Sequence, residues 1–77
     1  MNNKRRAKLK EIRERLSDLR SAIQDIRDDE DECLSNLPEN LQEGDKGSTM
    51  QECIDYLEYA GDQIDDAVEN LDCIIDA

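Results

Sequence analysis

The chain has 77 residues, enough for one small domain that buries too little surface to be strongly stable on its own. Charged residues make up 40% of it, the formal net charge is -11, and Phe, Trp and His are absent. Without histidine the chain lacks the commonest general base and the commonest metal ligand, so we expect no enzyme, no cofactor and no metal site. No apolar run approaches the ~20 residues of a membrane span, and no apolar segment follows the basic start, so we expect a cytoplasmic protein.

The first predicted element is a long helix over residues 4–35 (helix 1). Its apolar residues are spaced 3, 4, 3, 4 and 3 apart, which is the a/d pattern of a coiled coil. Pro38 disfavours helix at the residue before it and ends helix 1, and residues 38–42 could form one helical turn after it. The residues of the pattern are Leu9 (position a), Ile12, Leu16, Leu19, Ile23 and Ile26.

A turn over residues 36–48 separates this helix from a second long helix over residues 49–76 (helix 2). Ser48 and Gln51 match a capping box, in which Ser48 caps the helix and the Gln51 side chain reaches back to it. The apolar residues of helix 2 again alternate in steps of four and three, with Ile54 at position a. The second half of the chain therefore repeats the pattern of the first.

The short connection makes the two helices antiparallel, and one register pairs nearly every apolar layer. Residue numbers across a layer then sum to 87, which places Ile26 against Gly61 and Cys33 against Ile54. Arginine occupies position e of every heptad of helix 1, and acids occupy position e of helix 2, so ion pairs between the helices are expected. The sequence predicts an all-α fold, a coiled-coil-like antiparallel hairpin that assembles into a four-helix bundle or a larger helical oligomer. The expected ion pairs are Arg13–Asp72, Arg20–Asp65 and Arg27–Glu58.

Position g of helix 2 is apolar in every full heptad, which makes the apolar stripe of this helix wider than one partner helix needs. We expect these residues to form a second seam with another copy of the chain, so that the protein is a homo-oligomer. The other interpretation is that alanine is simply a good helix former on a surface. The residues of this seam are Cys53, Ala60, Ala67 and Ile74.

Position b of helix 2 is acidic in consecutive heptads, and no arginine of helix 1 is expected to reach it. Tyr56 and Tyr59, the only aromatic residues, are predicted to lie exposed beside this column, and tyrosines often anchor interfaces. The functional interpretation is a docking site for a basic protein surface, including imitation of a nucleic-acid backbone, whereas the simpler interpretation is a solvated face. The candidate partner-binding residues are Asp55, Tyr56, Tyr59, Asp62, Asp66 and Glu69, and Asp76 completes the column.

The charges are divided unevenly, since residues 1–20 carry a balance of +5 and residues 21–77 a balance of -16. With so acidic a remainder we do not expect the basic start to bind nucleic acid, and we assign it to pairing with helix 2. Cys33, Cys53 and Cys73 lack the spacing of zinc ligands and are expected to be free thiols in core or seam positions.

The segment NLPENLQ at residues 36–42, followed by GSTMQE at residues 47–52 and an acidic helix, resembles small uncharacterised helical proteins of phages and prophages of Gram-positive bacteria. Those proteins often combine a basic, Glu-rich first helix, an NLPxxLQ turn and a second helix of this kind. The resemblance covers most of the chain and implies an origin in a mobile element, whose small acidic proteins often bind host proteins. It implies no activity and no site residue.

Three functions remain open at this point. The first is a non-enzymatic acidic interaction module of phage origin that inhibits an immune or nucleic-acid-processing factor of the bacterial host, in part by nucleic-acid mimicry. The second is a structural or assembly protein whose role is the helical bundle itself. The third is an oligomer that sequesters a small molecule in a pocket between protomers, lined by basic residues within the range 4–15.

Overall fold

The computed structural model describes residues 1–77 and contains three helices, α1 (Asn3–Ser35), α2 (Glu39–Gln42) and α3 (Asp45–Ile75). The predicted all-α class with two long helices is confirmed, and helix 1 and helix 2 correspond to α1 and α3. These two lie side by side and antiparallel, so that the molecule measures only 58 × 14 × 12 Å between its Cα atoms. None of the helices combines the length and the apolar character that crossing a membrane requires.

The start of α1 is fixed by a side-chain cap. The Asn2 side-chain oxygen accepts a hydrogen bond from the Arg5 backbone N–H at 2.9 Å, which satisfies one of the free donors at a helix start. The first turn of α1 contains no acidic residue and its last turn no basic residue, so charges that would favour the helix dipole are missing at both ends. The stability of α1 therefore depends on its packing against α3.

The turn between the long helices is closed by one side chain. Gln42, at the end of α2, donates from its side-chain nitrogen to the backbone oxygens of Leu37 at 2.7 Å and Ser35 at 3.2 Å. Ser35 is the last residue of α1, where backbone oxygens lack partners within the helix. The helical turn predicted at residues 38–42 is present as α2, and its last side chain stabilises the end of α1.

The predicted capping box at the start of the second long helix is wrong, because α3 begins one turn earlier. Gly44 is the N-cap, and Ser48 already donates its backbone N–H to the Gly44 oxygen at 3.0 Å as a helical residue. The Gln51 side chain donates forward to Asp55 at 3.0 Å and does not reach back. Asp45 in the first turn is favoured by the helix dipole, which helps an earlier start.

The hairpin buries very little. Ile54 is the only buried hydrophobic residue, at 1% exposure, and the other two buried residues are Gly47 and Gly61. Most inward-facing aliphatic side chains are half-buried. A core of this size supplies only a few kcal/mol in a chain of such length.

The rotation of α1 about its axis differs from the predicted a/d layers. Its half-buried residues occupy mainly positions a and e, whereas Ile26 of the d column is 57% exposed and Cys33 is exposed too. The predicted contact between Ile26 and Gly61 is wrong, because Gly61 lies beside the Arg20 guanidinium instead. The Arg20 side chain is only 26% exposed, because its guanidinium lies against Gly61 while its Nε donates to Asp65, and position e of α1 therefore faces inward.

Candidate protein-interaction surface

Ion pairs between the helices occupy one side of the hairpin. All three pairs expected from the sequence are present, and they join position e of α1 to position e of α3. Donating a hydrogen bond to its carboxylate partner raises the pKa of each arginine above its ordinary value, so these arginines stay charged to still more alkaline pH. The e acids are therefore already engaged within the chain. The pairs are Arg27–Glu58 at 2.7 Å, Arg20–Asp65 at 3.1 Å and Arg13–Asp72, in which a second hydrogen bond measures 3.2 Å.

An acidic column lies beside these ion pairs. It consists of the acids at position b of α3 together with Asp76, the residue that follows the helix. All four are exposed, and none of them forms an ion pair with a lysine or arginine of the chain. Asp55 accepts one hydrogen bond, from the Gln51 side chain. No ion-pair contact therefore neutralises these carboxylates, although the hydrogen bonds to Asp65 and Asp72 are joined by the charges of Asp62 and Asp76 in raising the pKa values of Arg20 and Arg13. Its members are Asp55, Asp62, Glu69 and Asp76.

The two tyrosines extend the acidic column on the outer side of α3. Tyr56 is 75% exposed and Tyr59 is 69% exposed, and together with Glu52 and Asp55 they line a shallow open groove. Asp66 is also exposed and lies on the same outer side by the helical period. The candidate partner-binding residues predicted from the sequence therefore form one continuous surface of α3, with aromatic rings beside carboxylates.

The predicted oligomer seam lies on the opposite side of α3. Ala60 and Ala67 are half-buried, Ile74 is 38% exposed and Cys53 is exposed. Positions d and e flank position a on opposite sides of a helix, so the exposed d column of α1 lies on the same side as this seam. Sequence reasoning missed the exposed d column. The available signal was Gly61 at position a of α3, a small residue beside a column of long arginines.

The cysteines and carboxylates form no ligand cluster. All three cysteines are free and exposed, so the predicted core position of Cys33 is wrong. No group of three or more His, Cys, Asp or Glu side chains is placed to hold a metal ion. The chemistry on the surface is therefore that of exposed carboxylates, phenols and aliphatic side chains.

Fold and surface together describe an acidic helical hairpin that has ion pairs along one side and an apolar seam on the other side of α3. No family model, curated protein or solved structure matches the chain. The resemblance to small phage proteins stays a prediction that rests on the NLPENLQ turn and the helix pattern alone.

Proposed function

We propose that the chain is a non-enzymatic interaction module that binds a basic surface of another protein through the acidic column and the two tyrosines. The observation that carries this proposal is the absence of any ion-pair partner for the acidic column, next to two largely exposed aromatic rings. Members of the acidic column lie three or four residues from acids at positions e and f, as Asp62 does from Glu58 and Asp66, and like charges at this spacing oppose helix formation. A basic partner would reduce this repulsion. Tyr56 and Tyr59 would supply the apolar contact that exposed charges alone do not give.

The target we propose is an immune or nucleic-acid-processing factor in the cytoplasm of a bacterial host, inhibited by a phage protein that covers its basic groove. The acidic column spans about 32 Å at 1.5 Å per residue and has a carboxylate about every 10 Å. One DNA strand carries a charge about every 3.4 Å, so the column imitates its line of charge at roughly a third of the density. Charge attraction then speeds the encounter of the two proteins, and their affinity falls as the salt concentration is raised.

The test is charge reversal with a matched control. Asp55→Lys, Asp62→Lys and Glu69→Lys together reverse three of the four charges of the acidic column, and because all three positions are exposed we expect the hairpin to stay folded. The control reverses three exposed α1 acids that have the same seven-residue spacing and no ion pair, namely Asp18, Asp25 and Glu32.

Tagged versions of the natural chain and both variants are used for affinity capture from a bacterial lysate, with helicity checked by circular dichroism. We expect a host protein that is retained by the natural chain and by the α1 control and lost by the α3 variant. A companion retained equally by all three proteins would contradict binding through the acidic column.

A structural role in a helical bundle is the second candidate, and the exposed d column of α1 favours it. In that case reversal of the acidic column changes nothing, whereas a bulky charged residue at Ala60 or Ala67 disrupts assembly and function together. The two proposals use opposite sides of the hairpin, so these variants separate them.

A further inference from the structure

One side of α3 carries no charged residue along most of its length, although charged residues make up 40% of the chain. Between Thr49 and Ile74 of α3, neither position d nor position g carries a charged residue, and every acid lies at b, e or f. The side of α3 turned away from the ion pairs is therefore uncharged along most of the helix. A solvated surface of so acidic a protein has no need of such segregation.

The d column of α1 completes this uncharged face. Ile12 is 47% exposed, and Leu19 and Ile26 are each 57% exposed, on the same side as the g column of α3. At 1.5 Å per residue this face runs about 38 Å along α3, from Thr49 to Ile74, and about 21 Å along α1, from Ile12 to Ile26. A second layer of helices would supply the core that Ile54 alone does not provide.

We propose that a second copy of the chain covers this face, related by a two-fold axis that passes beside Leu19 and runs across the helices. In this arrangement α1 packs antiparallel on α1 of the second copy, and α3 packs antiparallel on α3. Leu19 then meets its own counterpart, and Ile12 meets Ile26 of the second copy. The inference deepens the self-association named above and does not depend on a target for the acidic column.

The charges of α1 favour this antiparallel arrangement. Residues 3–15 have seven basic and two acidic side chains, a balance of +5, and residues 24–35 have one basic and six acidic side chains, a balance of -5. This order opposes the helix dipole, and Arg13 is the only residue of the basic half that forms an ion pair with α3, so pairing within the hairpin explains little of it. An antiparallel copy of α1 sets each basic half beside an acidic half. Lys8 and Asp29, which lie next to the d column and have no ion pair within the hairpin, then face each other between copies.

The competing arrangement stacks α1 of one copy on α3 of the other, with the two turns at the same end. Residues 24–58 form the turn half of the hairpin and hold two basic and twelve acidic side chains, a balance of -10. Stacking two such halves sets like charge against like charge. The antiparallel arrangement places the centres of the two turn halves about half of the 58 Å length apart, well beyond the ~10 Å over which charges act at ordinary salt.

One axis serves both long helices. The g column of α3 is symmetric about the midpoint between Ala60 and Ala67, so the same axis sets Ala60 against Ala67 of the second copy. Arg20, next to Leu19, pairs with Asp65, which lies between those two alanines in the sequence. The centre of the d column of α1 and the centre of the g column of α3 therefore lie at nearly the same position along the hairpin. Because Ala60 and Ala67 have small side chains and lie near the two-fold axis, the two α3 helices can approach each other closely.

Disulfide trapping tests this geometry, because a residue on a two-fold axis can be linked to itself. The parent protein carries Cys33→Ser, Cys53→Ser and Cys73→Ser, all at exposed positions. The test variant adds Leu19→Cys to this parent. The matched control adds Ser21→Cys instead, which lies at nearly the same position along α1 but on its outer side. Disulfides need Cα atoms within about 7 Å. In the competing arrangement the two α1 helices are diagonal neighbours, roughly 11–14 Å apart at their axes.

Absolute mass in solution is measured for the natural chain under reducing conditions, and the cysteine variants are oxidised gently and separated on a denaturing gel. We expect twice the 8.9 kDa chain mass, near-complete linkage of Leu19→Cys and little linkage of Ser21→Cys. A natural chain of 8.9 kDa at micromolar concentration overturns self-association. A dimer in which Leu19→Cys links to Ala67→Cys of a second chain, and not to itself, overturns the antiparallel geometry. Both failures leave the function proposed for the acidic column untouched.

Discussion

Gly47→Ala should be among the most damaging small substitutions in this protein. Gly47 lies buried in the first turn of α3, where an added Cβ would be 1.9 Å from the Gln42 backbone oxygen and 2.5 Å from its carbon. Real Cβ atoms essentially never approach closer than 3.0 Å, so the α2 backbone must move away. That movement breaks the hydrogen bonds from the Gln42 side chain to Leu37 and Ser35.

The magnitude follows from three contributions. Overpacking costs about 1–3 kcal/mol, and each lost hydrogen bond costs about 0.5–1.5 kcal/mol. Replacing glycine by alanine inside a helix returns about 1 kcal/mol. We expect a net loss of about 1–5 kcal/mol, which is comparable with the few kcal/mol of stability that a domain of this size has.

Gly61→Ala is the matched control, because it makes the same chemical change within the same helix. A Cβ there meets only the end of the Arg20 side chain, 3.2 Å from the guanidinium carbon, and a flexible side chain can move aside. We expect Gly61→Ala to be neutral or to stabilise by up to about 1 kcal/mol. Urea unfolding followed by far-ultraviolet circular dichroism, at matched protein concentration, measures both. Equal stability of the two variants would show that α2 does not pack on α3 as described.

Three further predictions concern the core, the cap and the ion pairs. Ile54→Ala removes the one fully buried side chain and should cost about 2–5 kcal/mol in urea unfolding, and a loss below 1 kcal/mol would contradict the core described. Asn2→Ala removes the cap of α1 and should lower the free energy of unfolding by about 0.5–2 kcal/mol. Asn2→Asp keeps an acceptor for the Arg5 N–H and should leave the free energy of unfolding unchanged. A double-mutant cycle on Arg27 and Glu58 should give a favourable coupling that falls as salt is raised, and a salt-independent coupling would argue against an electrostatic origin.

The heptad spacing was sufficient to predict two long helices and the three ion pairs between them, because those features depend only on the period of the helix. It did not predict the rotation of α1, since Leu19 and Arg20 are neighbours in sequence and either could have faced inward. What decides between them is the space beside Gly61, which accepts the Arg20 guanidinium. A binary pattern of apolar and polar residues treats arginine as outward-facing, although its stem packs well against apolar surface.

The start of α3 was missed for a similar reason. Ser48 is a better cap by residue type than Gly44, so local preference placed the helix start there. The structure starts the helix earlier because the backbone of Gln42 packs directly on Gly47. A contact of this kind depends on how α2 is placed in three dimensions. The members of the acidic column could be predicted, because once Ile54 faces inward the period of the helix determines which residues face outward.

The placement of the acidic column on the side of α3 opposite the uncharged face has a consequence for valency. Two copies joined through their uncharged faces form a slab whose acidic columns point in opposite directions. The proposed dimer would then present the proposed docking surface twice, so it could hold two basic proteins at once or bridge two basic segments of one partner. Avidity can raise the apparent affinity by about 10²–10⁴ over a single column without any new contact. A weak, sparsely charged column becomes an effective binder when it is presented twice.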